Sequence, residues 1–270
     1  MDWLQIVVLA VVQGLTEFIP VSSSAHLILV PTLTDWTDQG LTFDVAVHLG
    51  SLLAVVLYFR HDLRRMTVSW IRSLRRGNLR QAGDDPDARL AWWVILSTLP
   101  VCVVGFALHD VVEGYARSPL VIGAAMIGFG LVLSFADWRA SAKRSEYQLH
   151  LRDAILIGLA QVLALIPGTS RSGITMTAAL LLGMSREGAA RFSFLMSIPV
   201  ITLASSLELF GLIRAVQEVE WLGLVAGVVL SGASAYICIY YFIAFIQRIG
   251  MQPFVVYRIA LGFLLLWLFW

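Results

Sequence analysis

Apolar residues run along this chain in long stretches, and the stretches sort by length. Six are long enough to cross a membrane as helices: 43–59, 90–108, 119–136, 188–210, 221–245 and 253–270. A spanning helix needs about 20 mainly apolar residues. Two other regions are apolar but broken. The run 3–19 stops at Pro20 and a serine triplet before 25–33, and 153–166 stops at Pro167-Gly168 before 170–182. A pair of short helices meeting at a polar break is predicted to form a re-entrant hairpin. At membrane depth such a break is tolerated only where protein or a wet cavity surrounds it.

The order is hairpin, three spans, hairpin, three spans. Ile19-Pro20-Val21-Ser22-Ser23 matches Ile166-Pro167-Gly168-Thr169-Ser170, and Pro119-Leu120-Val121-Ile122 with Gly128-Phe129 matches Pro253-Phe254-Val255-Val256 with Gly262-Phe263. A duplication is expected. Its first repeat covers 1–137 with a hairpin at 2–33, and its second covers 152–270 with a hairpin at 152–183. An odd number of full spans in each half inverts the second. The expected fold is an all-α polytopic membrane protein, one integral membrane domain over 1–270. It is an inverted-topology repeat of two re-entrant helical hairpins plus six full transmembrane helices. Interrupted helices at matching places of inverted repeats point to a site near the bilayer midplane.

Basic residues orient the spans. The insert holding Arg60, Arg64, Arg65, Arg72, Arg75, Arg76, Arg80 and Arg89 is expected inside, as are Arg139, Lys143, Arg144, Arg152 and Arg248. The Asp35/Asp38 loop and the His109 to Arg117 loop fall outside. The insert serves as a positive-inside anchor more simply than as a nucleic-acid or headgroup patch. Trp36, Trp92, Trp93, Trp138, Trp221 and Trp270 sit near span ends and read as an interfacial belt.

Composition agrees: 59% of the 270 residues are hydrophobic and 14% are charged, against roughly a quarter charged in soluble domains. A net charge of +1 gives no support to a nucleic-acid role. Cys102 and Cys238 lie inside apolar runs and are expected to be packing residues, not a disulfide or metal pair. Asp2, the lack of a basic leader and Glu17 within the first run argue against a cleaved signal peptide.

The chemistry gathers at the two breaks. Gln13 and Glu17 are spaced i, i+4 and share a helical face; a glutamine there can also glue helices, but a carboxylate at membrane depth is a functional candidate. Pro20 ends the first short helix, and Ser22-Ser23-Ser24 opens the next as caps. A helix N-terminus suits phosphate. Ser23 and His26 can point at one ligand, although capping serines and a satisfied buried histidine are the plainer alternative. At the second break Gly168 permits close backbone approach. Thr169, Ser170 and Ser172 offer hydroxyls there, and Arg171 offers a forked, permanent cation. Thr175 is either one more hydroxyl of the site or a packing residue. His48, Asp44, Arg186, Glu187, Arg191 and Glu208 are explained by solvation at span boundaries, though Asp44 and Glu187 could reach the site, and Arg258 by snorkelling. Walker, GxSxG, HExxH and CxxC patterns are absent.

Two of these segments closely resemble the signatures of the undecaprenyl-diphosphate phosphatase family linked to bacitracin resistance. Gln13-Gly14-Leu15-Thr16-Glu17 with Ser22 to His26 resembles its (E/Q)xxxE and Ser/His segments. Pro167-Gly168-Thr169-Ser170-Arg171-Ser172-Gly173-Ile174-Thr175 resembles its PGxSRSxxT. Gln13 takes the glutamine option, which leaves one carboxylate in that segment. The resemblance implies a multi-pass enzyme of the bacterial inner membrane, with its site open to the periplasm and a divalent-cation requirement. It implies loss of the terminal phosphate of undecaprenyl diphosphate, giving the carrier reused in peptidoglycan synthesis and lowering sensitivity to bacitracin.

The expected roles follow. Arg171, Ser170, Ser172 and the backbone N–H groups neutralise the phosphoryl group in flight, with Ser22, Ser24, Gly168, Thr169 and Thr175 as further phosphate contacts. His26 is general acid or base. Either Ser23 attacks, activated by His26, or water oriented by Glu17 attacks while Ser23 binds phosphate. Glu17 with Gln13 would hold Mg²⁺ or Ca²⁺ across the diphosphate. The expected partners are a polyprenyl diphosphate lipid and membrane lipids, with room for a homodimer. The alternative function is a transporter or scramblase for polyprenyl phosphates, since paired broken helices also build transport sites.

Overall fold

A computed structural model describes residues 1–34, 36–75, 85–107, 118–140, 143–214 and 220–270, with backbone alone for 208–214. The expectations on Asp35, Arg76, Arg80, the His109 to Arg117 loop and the Glu208 side chain lie outside the described residues. Eleven α-helices follow one another among them: α1 Trp3–Thr16, α2 Ser23–Thr34, α3 Gly40–Tyr58, α4 Arg60–Arg75, α5 Pro86–Ala107, α6 Pro119–Arg139, α7 Leu151–Val162, α8 Arg171–Leu181, α9 Arg186–Arg214, α10 Trp221–Ile249 and α11 Gln252–Phe269. A 3₁₀ turn, Leu163–Leu165, extends α7.

Six helices are long and apolar enough to cross a membrane, namely α3, α5, α6, α9, α10 and α11. They coincide with the six runs read from the sequence. The protein is an all-α polytopic membrane protein. Large apolar side chains such as Phe106, Leu207, Val229 and Trp267 point outward, as they must where the solvent is lipid. With lipid outside, helices gain little from apolar burial, and close packing through small residues holds them together. A Cβ on Gly50 of α3 would lie 2.3 Å from the Val228 carbonyl of α10. At that same crossing the Ser51 and Ser231 hydroxyls meet at 3.0 Å. On the other flank Gly123 of α6 faces Gly262 of α11, where a Cβ would come within 2.9 Å of a backbone oxygen.

The short pairs keep their ends together. Gln5 Nε2, at the start of α1, donates to the Thr37 carbonyl just beyond α2 at 2.8 Å. At the far end of α3 the second pair is tied in the same way. Arg144 donates to the Leu182 carbonyl after α8 at 3.0 Å and to Asp153 at the start of α7.

Two features of this end differ from the sequence expectation. The arginine-rich insert contains a helix, α4, which buries Met66 and sets Trp70 edge-on to Trp92 of α5 at 5.8 Å. Arg186 and Arg191 do more than solvate a boundary. Arg186 Nε donates to Asp137 at 2.6 Å, and Arg191 reaches Glu146 at 2.6 Å and Asp62 at 3.0 Å. These pairs tie α9 to α6, to the connection before α7, and to α4. Cys102 and Cys238 are both free thiols.

Candidate active site

Each break stops a helix and restarts another within a few residues, and both restarts are alike. Ser22 and Ser170 are the non-glycine residues with positive φ among those described, at 75° and 69°. Each immediately precedes its helix. Holding an L-residue there costs about 1–3 kcal/mol and is characteristic of functional sites. The hydroxyls of Ser22 and Ser24 lie 3.2 Å apart, and those of Ser170 and Ser172 lie 3.1 Å apart. The structural equivalence thus sets Ser22 against Ser170 and Ser23 against Arg171. This is one residue off the sequence match, which paired Ser23 with Ser170. Gly168 is the extra residue of the second break.

That glycine cannot be replaced without strain. Its φ is +89°, and a Cβ would lie 2.5 Å from the Ile122 carbonyl of α6. Gly168→Ala is expected to destabilise the fold by about 1–3 kcal/mol or more. A clear fall in Tm in detergent would be the result, and an unchanged Tm would show that the break is not pressed against α6.

The first residues of the two restarted helices converge on one carboxylate. Ser23 Oγ donates to Glu17 Oε2 at 2.6 Å, and Arg171 Nη2 donates to Glu17 Oε1 at 3.1 Å. Gln13 Nε2 donates to Glu17 Oε2 at 3.0 Å, the i, i+4 contact foreseen from the spacing. Arg171 Nη1 donates to the Ser193 carbonyl of α9 at 3.1 Å. The Glu17 and Arg171 side chains are only 8% and 13% exposed, so the pair is little screened by solvent.

His26 is placed differently from the expectation. Its Nδ1 lies 2.7 Å from the Ser22 carbonyl, which can only accept, so Nδ1 carries a hydrogen. Its Nε2 lies 2.6 Å from the Tyr257 hydroxyl of α11. Both ring nitrogens are thereby engaged away from Ser23, whose proton points at Glu17. The i, i+3 spacing left this open, because Ser23 starts the helix while His26 is already turned into the α11 contact.

A cavity of about 370 Å³ opens over these residues. Glu17, Ser22, Ser23, Ser24, Ser170 and Arg171 line its polar wall, and Val101, Leu165, Val200 and Ile201 contribute an apolar one. Gly168, Thr169, Ser172, Thr175 and His26 lie behind that wall. Ser172 Oγ donates to the Ile19 carbonyl at 2.9 Å, and the Thr175 hydroxyl meets that of Ser193 at 2.8 Å. Thr175 therefore fits its packing alternative.

Asp44, His48 and Gln161 also line the cavity. His48 Nδ1–H donates to the Asp44 carbonyl at 2.7 Å, and its Nε2 stands 3.7 Å from Glu17 Oε2. Boundary solvation does not describe Asp44 and His48; the i, i+4 argument that found Gln13 and Glu17 also applies to them. Gln161, fully buried, is likewise a polar residue in an apolar helix leading to a break. Glu187 is exposed and not part of the cavity wall.

Arg258 corrects another expectation. Instead of snorkelling, it is 0% exposed. Its guanidinium donates to the Pro20 carbonyl at 3.2 Å, to that of Gly168 at 3.0 Å and to that of Thr169 at 2.8 Å. One side chain from α11 clasps both breaks and satisfies carbonyls that no helix takes up.

As arranged, Gln13 and Glu17 do not suit a divalent cation. Each Glu17 oxygen already accepts from a donor or a guanidinium. Gln13 turns its NH₂ toward Glu17; its Oε1 is buried without a partner, and Gln13 does not line the cavity. One amide oxygen cannot satisfy an ion that takes six or more oxygens. Among the described residues no group of three or more His, Cys, Asp or Glu is set to hold a metal.

The arrangement can therefore receive an anion between two helix N-termini and one guanidinium, next to a hydroxyl already hydrogen-bonded to a carboxylate. Comparison with known proteins points the same way. The family model described as bacitracin resistance protein BacA matches residues 6–264. An undecaprenyl-diphosphatase of Nitrosococcus oceani is 56% identical over 269 residues, 100% of both chains. That of Thioalkalivibrio sulfidiphilus is 54% identical over 271 residues, again 100% of both. The undecaprenyl-diphosphatase 2 of Stutzerimonas stutzeri is 57% identical over 272 residues, 100% of this chain and 99% of that one. With both breaks and nearly every span inside the matched region, the chain belongs to the BacA family.

Proposed function

We propose that this protein is an undecaprenyl-diphosphatase, which hydrolyses the terminal phosphate of a polyprenyl diphosphate and returns the monophosphate carrier to cell-wall synthesis. The observation that carries the chemistry is the Ser23–Glu17–Arg171 contact. Ser23 Oγ attacks the terminal phosphorus and its proton passes to Glu17. The bridging P–O bond breaks, and the departing polyprenyl phosphate takes that proton. Water then attacks the phosphoserine and passes a proton to Glu17, the Oγ–P bond breaks, Glu17 returns the proton to Ser23 Oγ, and inorganic phosphate leaves. Arg171 and the free N–H groups at the starts of α2 and α8 meet the charge that develops on the phosphoryl oxygens. The role expected for His26 as activating base passes to Glu17, since His26 faces Tyr257.

Several observations support the wider setting. A cavity of about 370 Å³ has room for a diphosphate and the start of a prenyl chain, with the rest of a long polyprenyl tail left to the lipid. The cavity takes in Leu41 and Asp44, at the end of α3 opposite the arginine-rich α4. By the positive-inside rule it opens toward the periplasm from the bacterial inner membrane. The paired ends of α1–α2 near Thr37, and of α7–α8 at Arg144, support two re-entrant hairpins entering from opposite sides, hence an inverted repeat. Purified protein in detergent should release phosphate from C15 or C55 diphosphate. A transporter or scramblase of polyprenyl phosphates would release none.

A further inference from the structure

We infer that the divalent cation implied by the family resemblance is not resident on the protein but arrives chelated by the diphosphate of the substrate. The inference rests on the diphosphatase function proposed above. Among the described residues, three charged side chains besides the imidazole of His48 line the cavity: Glu17, Asp44 and Arg171. The two carboxylates outnumber the one guanidinium, and Arg171 is already paired with Glu17 at 3.1 Å. Arg258, the cation that clasps the breaks, faces backbone carbonyls from behind the wall.

The described side chains thus bring no surplus of positive charge to the ligand, and the two helix N-termini add only about half a charge each. A phosphate monoester already carries about −1.5 to −2 at neutral pH, and a diphosphate carries more. Bringing such an anion uncompensated into a poorly screened site beside two carboxylates is unfavourable. The pair expected to supply a cation is closed to it. Gln13 and Ser23 donate to Glu17 Oε2, and Arg171 donates to Oε1, so a divalent ion there would displace a guanidinium and two hydrogen bonds. Both conditions are met if the cation travels on the diphosphate oxygens. Mg²⁺ in particular is usually held by substrate phosphates, waters and one or two carboxylates, not by an all-protein cage. The acidic wall then meets a near-neutral chelate, and Glu17 stays free to accept the Ser23 proton.

Mn²⁺ provides the test, read by electron paramagnetic resonance on the purified full-length protein in detergent. With Mn²⁺ alone, no saturable site is expected up to ~1 mM. With Mn²⁺ and the non-hydrolysable farnesyl methylenediphosphonate, one protein-bound ion per chain is expected. In that ternary complex Glu17→Gln and Gln13→Ala should leave the Mn²⁺ affinity within about twofold, or ~0.4 kcal/mol. Saturable one-to-one binding of Mn²⁺ to the wild-type protein alone would overturn the inference, whatever the variants do. So would loss of the ternary site in a folded Glu17→Gln protein. Either result leaves the diphosphatase function standing as long as the wild-type protein releases phosphate; absence of phosphate release from the wild type, with or without cation, removes that function instead.

Discussion

Arg171→Ala is expected to lower the rate of phosphate release by about 10³-fold or more, the scale found when a transition-state arginine is removed from phosphoryl transfer. The side chain holds two anchors at once, Glu17 Oε1 and the Ser193 carbonyl, each at 3.1 Å. That fork is planar and fixed before the substrate arrives, so it offers charge to the phosphoryl oxygens with little reorganisation. Alanine removes the cation and leaves Glu17 in the cavity wall without its guanidinium partner, which raises the cost of admitting an anion. Lysine keeps the charge but cannot span both anchors, so Arg171→Lys is expected to recover only a small part of the loss. Rates on farnesyl diphosphate, with size-exclusion profiles confirming folded protein, decide the matter. Near-full activity of the lysine variant would show that the fork is not needed.

Ser23→Ala is expected to be as severe, about 10³-fold or more, because removing a nucleophile removes the route and not merely a contact. The 2.6 Å contact to Glu17 is the reason. A hydroxyl that only binds phosphate would be expected to donate to it, whereas this one already gives its hydrogen to a carboxylate. Glu17→Gln tests the same step from the other side and should cost about 10²–10⁴-fold, the usual worth of a positioned base. If Ser23→Ala lost only about tenfold, the value of one hydrogen bond to a charged group, Ser23 would be a phosphate ligand and water the nucleophile.

The spans were legible because lipid imposes a length and a composition that survive in the chain as uninterrupted apolar runs. The breaks were legible for the converse reason: Glu17, the serine triplet and Arg171 have no cheap place at membrane depth. Other features depended on what packs against what. Arg258 looks like any arginine early in a span; only the assembled bundle shows that it reaches Pro20, Gly168 and Thr169. Asp44 and His48 sit at the start of a span, where solvation is the simplest account until α3 is seen to face Glu17. The pairing of Ser23 with His26 was plausible from spacing alone and fails because Tyr257, more than two hundred residues away, engages the imidazole. Helix α4 was hidden by its arginines, whose charge reads as loop although Met66 and Trp70 mark a buried face. The one-residue slip between the two breaks could not be seen before the matching positive φ angles of Ser22 and Ser170 set the register.

Everything proposed for the chemistry turns on whether Ser23 forms a bond to phosphorus. The direct measurement is an acid quench of the wild-type enzyme during turnover of farnesyl diphosphate, followed by mass spectrometry of the peptide carrying residues 22–24. A phosphoryl group on Ser23, formed and lost at rates compatible with turnover and absent in Ser23→Ala, is the expected result. A single-turnover reaction in ¹⁸O water that proceeds at full rate with no phosphoserine at any time would contradict it.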